Sequence, residues 1–238
     1  MKTGLILLLS LFSLSTHAFK PHTANYQLSI NGLKIAEEVR TLHQLEDNYF
    51  YTANAKTSGI AALIKDYSIA ASSSFKLNAQ GVDSINYQIM EEEDKKVTRN
   101  NAIDISSDNS TVISTLTKTQ PKIATWKTKK GNIVDPLSLF LALSYDIKQQ
   151  PKKTEFNYQV ADGKSINQHH YKKTNDQTIT LNGETLNTIK IERIKHEGKN
   201  MQAYFLPDYQ YLPVLIEQTK GSRNYTYKIN NFESLAAK

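Results

Sequence analysis

The sequence predicts a mainly β protein: one large curved antiparallel sheet, a half-barrel or open barrel, with a buried helix on its concave side. Three observations carry this. Short stretches of alternating apolar and polar residues, separated by turn residues, run through most of the chain. One segment, Asp135 to Lys148, is instead apolar around most of a helical circumference. Such a helix is enclosed rather than laid on a surface. No shift in composition marks a domain boundary, so residues 19–238 read as one β-rich domain.

The first eighteen residues stand apart. Lys2 gives a positive start, Leu5 to Leu14 form a short apolar run, and small residues end at Ala18. This is the pattern of a secretory signal peptide cleaved after Ala18, and it predicts a periplasmic protein. The run is shorter than the roughly 20 residues of a membrane span, and nothing later could cross a bilayer as a helix. The chain has no Cys, so lipid attachment at a cysteine, disulfides and thiol chemistry are excluded. The formal charge of +6 becomes +5 without Lys2, 28 basic against 23 acidic residues. These charges are scattered along strands with no basic run, which reads as general solvation and excludes a nucleic-acid footprint.

In order, Tyr26, Leu28 and Ile30 alternate up to Asn31-Gly32, the favoured pair for a tight hairpin, and the second arm runs from Leu33 through Val39 and Thr41. After the polar break at Glu46 comes a strand from Tyr49 to Ala55. Gly59 to Lys65 is too short for an independent helix and reads as a helical turn between strands. Tyr67, Ile69, Ala71, Ser73, Phe75 and Leu77 then share one strand face, whose small members leave room for a helix or a ligand. Ile85, Tyr87 and Ile89 share the next. The acidic run Glu91 to Asp94 reads as a hairpin tip, because adjacent strand residues point to opposite faces and do not converge on a metal.

Further strands are expected around residues 102–105, 111–117 and 122–128, with Trp126 packing beside the helix. Asp135 is placed to cap that helix and Pro136 to occupy its first position. Beyond Pro151, turn pairs at Asp162-Gly163, Asn182-Gly183 and Glu197-Gly198 separate more strands. Pro213 is expected at an edge or bend, and Ala236 to Lys238 form a tail. About a dozen strands result, and so many must curl to hide their edges.

These segments resemble an uncharacterised family of exported bacterial proteins, known only as a domain of unknown function. The resemblance rests on Tyr26 with Gly32, Gly59 to Lys65, the Asp-Pro-Leu-Ser start of the helix at Asp135, and Tyr211 to Glu217. Asp162-Gly163 and Glu184-Thr185-Leu186 also fit. Many members carry a tryptophan where this chain has Tyr204 or Phe205. The resemblance implies an architecture similar to the lipoprotein-carrier type, a half-open sheet filled by helices.

No serine elbow or phosphate-cradling glycine loop is present. His169 and His170 are adjacent on a strand, so they would face apart rather than share a metal. His22, His43 and His196 fall in regions read as terminal or turn. The sequence gives no sign of a cofactor. The function expected is non-enzymatic binding of an apolar ligand, a lipid or acyl chain. Its wall would be Tyr67, Ile69, Ala71, Phe75, Leu77, Ile85, Tyr87 and Ile89, facing Leu137, Phe140, Leu141 and Leu143. Two alternatives stand beside it: an envelope scaffold that docks a protein partner and has no cavity, and a glycan or peptidoglycan hydrolase whose acids meet only in three dimensions.

Overall fold

Strand pairing dominates the computed structural model, which describes residues 19–117, 120–194 and 199–235. Residues 1–18, expected to be a leader, the turn expected at Glu197-Gly198, His196 and the tail expected at 236–238 lie outside the described residues. The first half runs through β1 (His22–Ile30), β2 (Leu33–Leu45), β3 (Asn48–Thr57), the short helix α1 (Ile60–Ile64), β4 (Tyr67–Asn78), β5 (Gly81–Glu93), β6 (Lys96–Ile105), β7 (Thr111–Thr117) and β8 (Pro121–Lys127). Next come β9 (Ile133–Val134) and the longer helix α2 (Leu139–Gln149). The second half comprises β10 (Glu155–Ala161), β11 (Ile166–Lys173), β12 (Gln177–Leu181), β13 (Glu184–Arg193), β14 (Lys199–Leu206), β15 (Leu212–Lys220) and β16 (Arg223–Ser234).

These sixteen strands form one sheet among the described residues, rather than the dozen expected. The first eight are neighbours in sequence order. The other half continues from β1 as β16, β15, β14, β13, β11, β10 and β9, with β12 paired to the outer part of β13. The first and last strands therefore join the two meanders. Pairing is antiparallel except between β9 and β10. The path ends at β8 on one side and β9 on the other, so the sheet is not closed.

Helix α2 shows how strongly the sheet bends. It packs against β5, β15 and β10. Between β5 and β15 lie five strands, about 29 Å across a flat sheet at ~4.8 Å per strand. A helix is only about 10–12 Å wide. One helix touches both strands because the sheet wraps around it. Leu139, Leu141, Ala142, Leu143, Ser144, Asp146 and Ile147 are buried, as the all-round apolar pattern predicts. The helix proper begins at Leu139 rather than Asp135, since residues 136–138 form a turn.

Turn chemistry is as the residues dictate. Asn31-Gly32 and Asn182-Gly183 have positive φ at both positions, and so does Asp94-Lys95 at the acidic hairpin tip. At that tip Glu91 pairs with Arg99 at 2.9 Å and Glu93 with Lys65 at 2.9 Å. The Asp162-Gly163 turn reaches across the interior from β10 to β6 and β7. There the Ser114 hydroxyl lies 2.9 Å from the Gly163 carbonyl, and a Cβ on Gly163 would fall 1.8 Å from the Asn101 amide nitrogen. Pro213 lies at a register shift beside β14 and has no partner on β16, so its missing N–H breaks no ladder bond there.

One continuous core runs from Phe19, which meets Tyr49 and Phe75 edge-on, to Ile216 on β15. Trp126 packs against its margin. A smaller cluster gathers Ala24, Tyr26, Leu181, Tyr204, Leu206, Val214 and Ile229. By contrast α1 stands in solvent, with Ile60, Leu63 and Ile64 all exposed.

His22 departs from expectation. It lies within β1, is 1% exposed, and contacts the rings of Tyr51 and Phe232. Its Nδ1 is 3.0 Å from the Lys20 carbonyl. Burial lowers its pKa below 6.5, against a smaller opposing effect of that carbonyl. The unfolded chain thus binds a proton more readily than the folded one, so this contribution to stability is present above about pH 6.5 and fades below it. Thermal melting should fall in temperature between pH 7.5 and 5.5, and a His22→Phe variant should show a smaller fall. An identical pH slope in both proteins would contradict this.

Candidate functional site: a cavity beside the plug helix

The site is built from the residues that hold α2 in place. Asp135 is wholly buried. Its Oδ1 accepts from the N–H groups of Leu137 (2.8 Å) and Ser138 (2.9 Å), so it caps the turn that leads into α2, while the N-cap position of the helix itself falls to Ser138 rather than Asp135. Its Oδ2 accepts from the hydroxyls of Ser73 on β4 (2.6 Å) and Ser84 on β5 (2.7 Å). The Asp135 N–H lies within reach of Ser138 Oγ (3.0 Å) and Ser84 Oγ (3.1 Å), and these two hydroxyls are 2.8 Å apart. Four donors thus surround one carboxylate, which ties the turn before α2 to the sheet. Just before it, Ile133 N–H donates to Asp83 Oδ1 at 3.3 Å, while Asn132 donates to the Val82 carbonyl at 3.1 Å. The far end is held by the Tyr158 hydroxyl, which donates to Asp146 Oδ2 at 2.8 Å. Burial raises the Asp146 pKa, against that bond and nearby Lys153.

Beyond the Asp135 knot the plug and the wall part. A cavity of about 350 Å³ opens between Pro136, Leu137, Leu139 and Phe140 on one side and Ala53, Ile69, Ala71, Tyr87 and Ile89 on the other. Val160, Tyr171, Met201, Ile216 and Tyr227 complete a largely apolar lining. A second apolar hollow of about 160 Å³ lies between Leu28, Ile35, Ala55 and Tyr67. The two are neighbours, with Ile69 and Tyr227 lining both. The larger, the groove beside α2, falls in the range of ordinary ligand pockets, about 300–1,000 Å³.

Six expected wall residues meet here: Ile69, Ala71, Tyr87, Ile89, Leu137 and Phe140. Tyr67 lines the smaller hollow, its hydroxyl donating to Glu91 at 2.7 Å. Phe75, Leu141 and Leu143 are sealed in the core, and Leu77 packs against it. Ile85 leaves the expected face altogether. Ser74 pairs with Asn86 and Phe75 with Ser84, so Ile85 is the extra residue of a β-bulge. The inward series on β5 is therefore Val82 and Ser84, then Tyr87 and Ile89.

The same device places two charges that the alternation did not reveal. Leu28 pairs with Ala36 and Ser29 with Lys34, leaving Ile35 as a bulge. The rest of β2 is thereby reversed, so Val39 is exposed while Glu38 and Arg40 are buried and line the cavity. Arg40 Nε donates to Glu38 Oε1, and its guanidinium lies 4.7 Å from the Tyr26 ring centre. Burial works against the Arg40 charge, but Glu38, Tyr51 and Tyr26 outweigh it and leave the pKa raised. The one available signal was that Ala36, Glu38, Arg40 and Leu42 share a period with two apolar members.

His169 lines the cavity and sits 3.2 Å from the Tyr171 hydroxyl, while His170 faces outward toward Asn157. The pair does point apart. No cluster of three or more metal-ligating residues occurs among the described residues, and no described helix is long and apolar enough to cross a membrane.

An open β-barrel-like sheet wrapped around one helix and an internal groove defines the class. A family model described as a protein of unknown function, DUF3108, matches residues 25–228, and the chain belongs to that family. Its fold is similar to the crystal structure of a beta-barrel-like protein of the domain of unknown function DUF1849 from Brucella abortus. The TM-score is 0.60 at 10% identity, over 92% of this chain and 99% of that one. No match is found among curated proteins.

The Asp135 knot yields a graded prediction. Asp135→Asn replaces two acceptor sites by donors that face the hydroxyls of Ser73 and Ser84, and should cost about 2–3 kcal/mol in urea unfolding. Ser73→Ala removes one donor and should cost about 1 kcal/mol. Equal, near-zero effects would mean that the knot does not hold the helix.

Proposed function

We propose that this is an exported, non-enzymatic binding protein of the periplasm that holds an apolar ligand, a lipid or acyl chain, between its curved sheet and α2. The observation that carries this reading is the largely apolar groove left beside a helix that is otherwise packed tightly. A tightly packed scaffold would fill that space, since protein interiors leave few voids larger than a water molecule. The basic and apolar character of the leader supports export. The polar side chains Glu38, Arg40, Asp162, His169, Arg193 and Gln218 sit in a lining that is otherwise apolar or aromatic, and Glu38 is already engaged by Arg40. That arrangement suits orientation of a chain-like ligand better than hydrolysis.

The test is displacement of a fluorescent apolar probe, N-phenylnaphthylamine, by added lipids. Ala71 lies on the groove wall opposite α2 and is small. Ala71→Trp should fill the groove and weaken probe binding tenfold or more, with the far-ultraviolet circular dichroism unchanged. A folded Ala71→Trp protein that binds the probe as well as the parent does would remove this reading.

A further inference from the structure

The cavity wall carries an ion pair in an arrangement that needs explaining. Glu38 and Arg40 lie two residues apart on β2, and their side chains bond to each other. The pair therefore ties no two strands together. A buried pair is also no better for stability than apolar residues of similar size. What the arrangement does is hold the guanidinium still. Glu38 takes the Nε edge, the Tyr26 ring supports one face, and Tyr51 lies beside it.

Arg40 is also among the residues that line the groove. Arg40 is 6% exposed, and its Nη1 meets no acceptor among the described residues. A buried N–H with nothing to donate to is uncommon in a folded protein, and each instance calls for an explanation. Here the atom belongs to a fixed cation on the wall of a mainly apolar groove that also contains a second cation, Arg193. Arg193 makes no ion pair among the described residues, whereas the other acid on the wall, Asp162, accepts from the N–H groups of Lys164 and Ser165.

We infer that Arg40 is the head-group receptor of the groove, and that the ligand is an acyl chain ending in a carboxylate, which accepts from the Arg40 guanidinium. This inference rests on the proposed function and narrows it. The chain of the ligand takes the apolar wall along Ile69, Ala71 and Ile89, and the head completes the hydrogen bonding of the guanidinium. A guanidinium selects a carboxylate over a hydroxyl because both charge and acceptor geometry favour it.

The experiment compares dodecanoate with dodecanol as displacers of N-phenylnaphthylamine at neutral pH, below their aggregation concentrations. The full chain should bind dodecanoate at least tenfold more tightly than dodecanol. In the double variant Glu38→Gln with Arg40→Met, which leaves no charge unpaired, that preference should vanish while dodecanol binding stays within threefold. A chain that takes both equally, or a variant that keeps the preference, overturns the inference and leaves the apolar groove standing. Failure of both compounds and of the probe to bind the parent chain overturns the groove reading as well. The comparison within the parent chain requires no variant, so it decides the matter even if the double variant does not fold.

Discussion

A carboxylate with no cationic partner among the described residues, taken entirely out of water, fixes the geometry of the molecule. Alone, such a group would be prohibitively costly to bury. Asp135 is tolerated because its two oxygens receive two backbone N–H groups from its own turn and two hydroxyls from neighbouring strands. Each bond constrains a different body: the turn before α2, β4 and β5. The start of the helix therefore cannot slide or rotate without leaving part of a charge unsatisfied. The sheet can wrap around that fixed rod, and the groove beside it keeps its shape.

The small residues of β4 explain how packing and vacancy coexist on one face. Ser73 draws the helix turn close through Asp135, while Ala71, one inward position away, leaves the wall set back at the groove. Farther along, Phe75 closes the space by stacking on Tyr49 at 5.2 Å. One strand thus anchors, opens and seals within three inward positions. The reading that this face makes room for a helix or a ligand was an either-or, and the structure provides the helix contact and the space at successive residues.

How far the sequence could be read depended on where its period of two was unbroken. The Asn31-Gly32 and Asn182-Gly183 turns, α1, and the enclosed helix are all as local chemistry requires. Asp135 reads as a cap, but its two sheet partners were hidden, because Ser73 and Ser84 become its neighbours only when the sheet closes over the turn. The bulges at Ile35 and Ile85 caused the larger misreadings. One inserted residue sends every later side chain to the other face. For this reason Glu38 and Arg40 are buried and Val39 is exposed, the reverse of an alternation counted from Leu33, and Ile85 is not part of the wall. Two-residue β9 carries no pattern to read; its place follows from pairing with β10 and from Asp83.

The account stands or falls on whether the groove is occupied when the protein is isolated from cells. Native mass spectrometry of the chain purified without detergent, before and after solvent extraction, addresses this most directly. The account predicts a reproducible mass excess, lost on extraction and recovered as a single class of acyl-chain compound. A chain that emerges at its bare mass, and stays at that mass after incubation with acyl lipids, would contradict it.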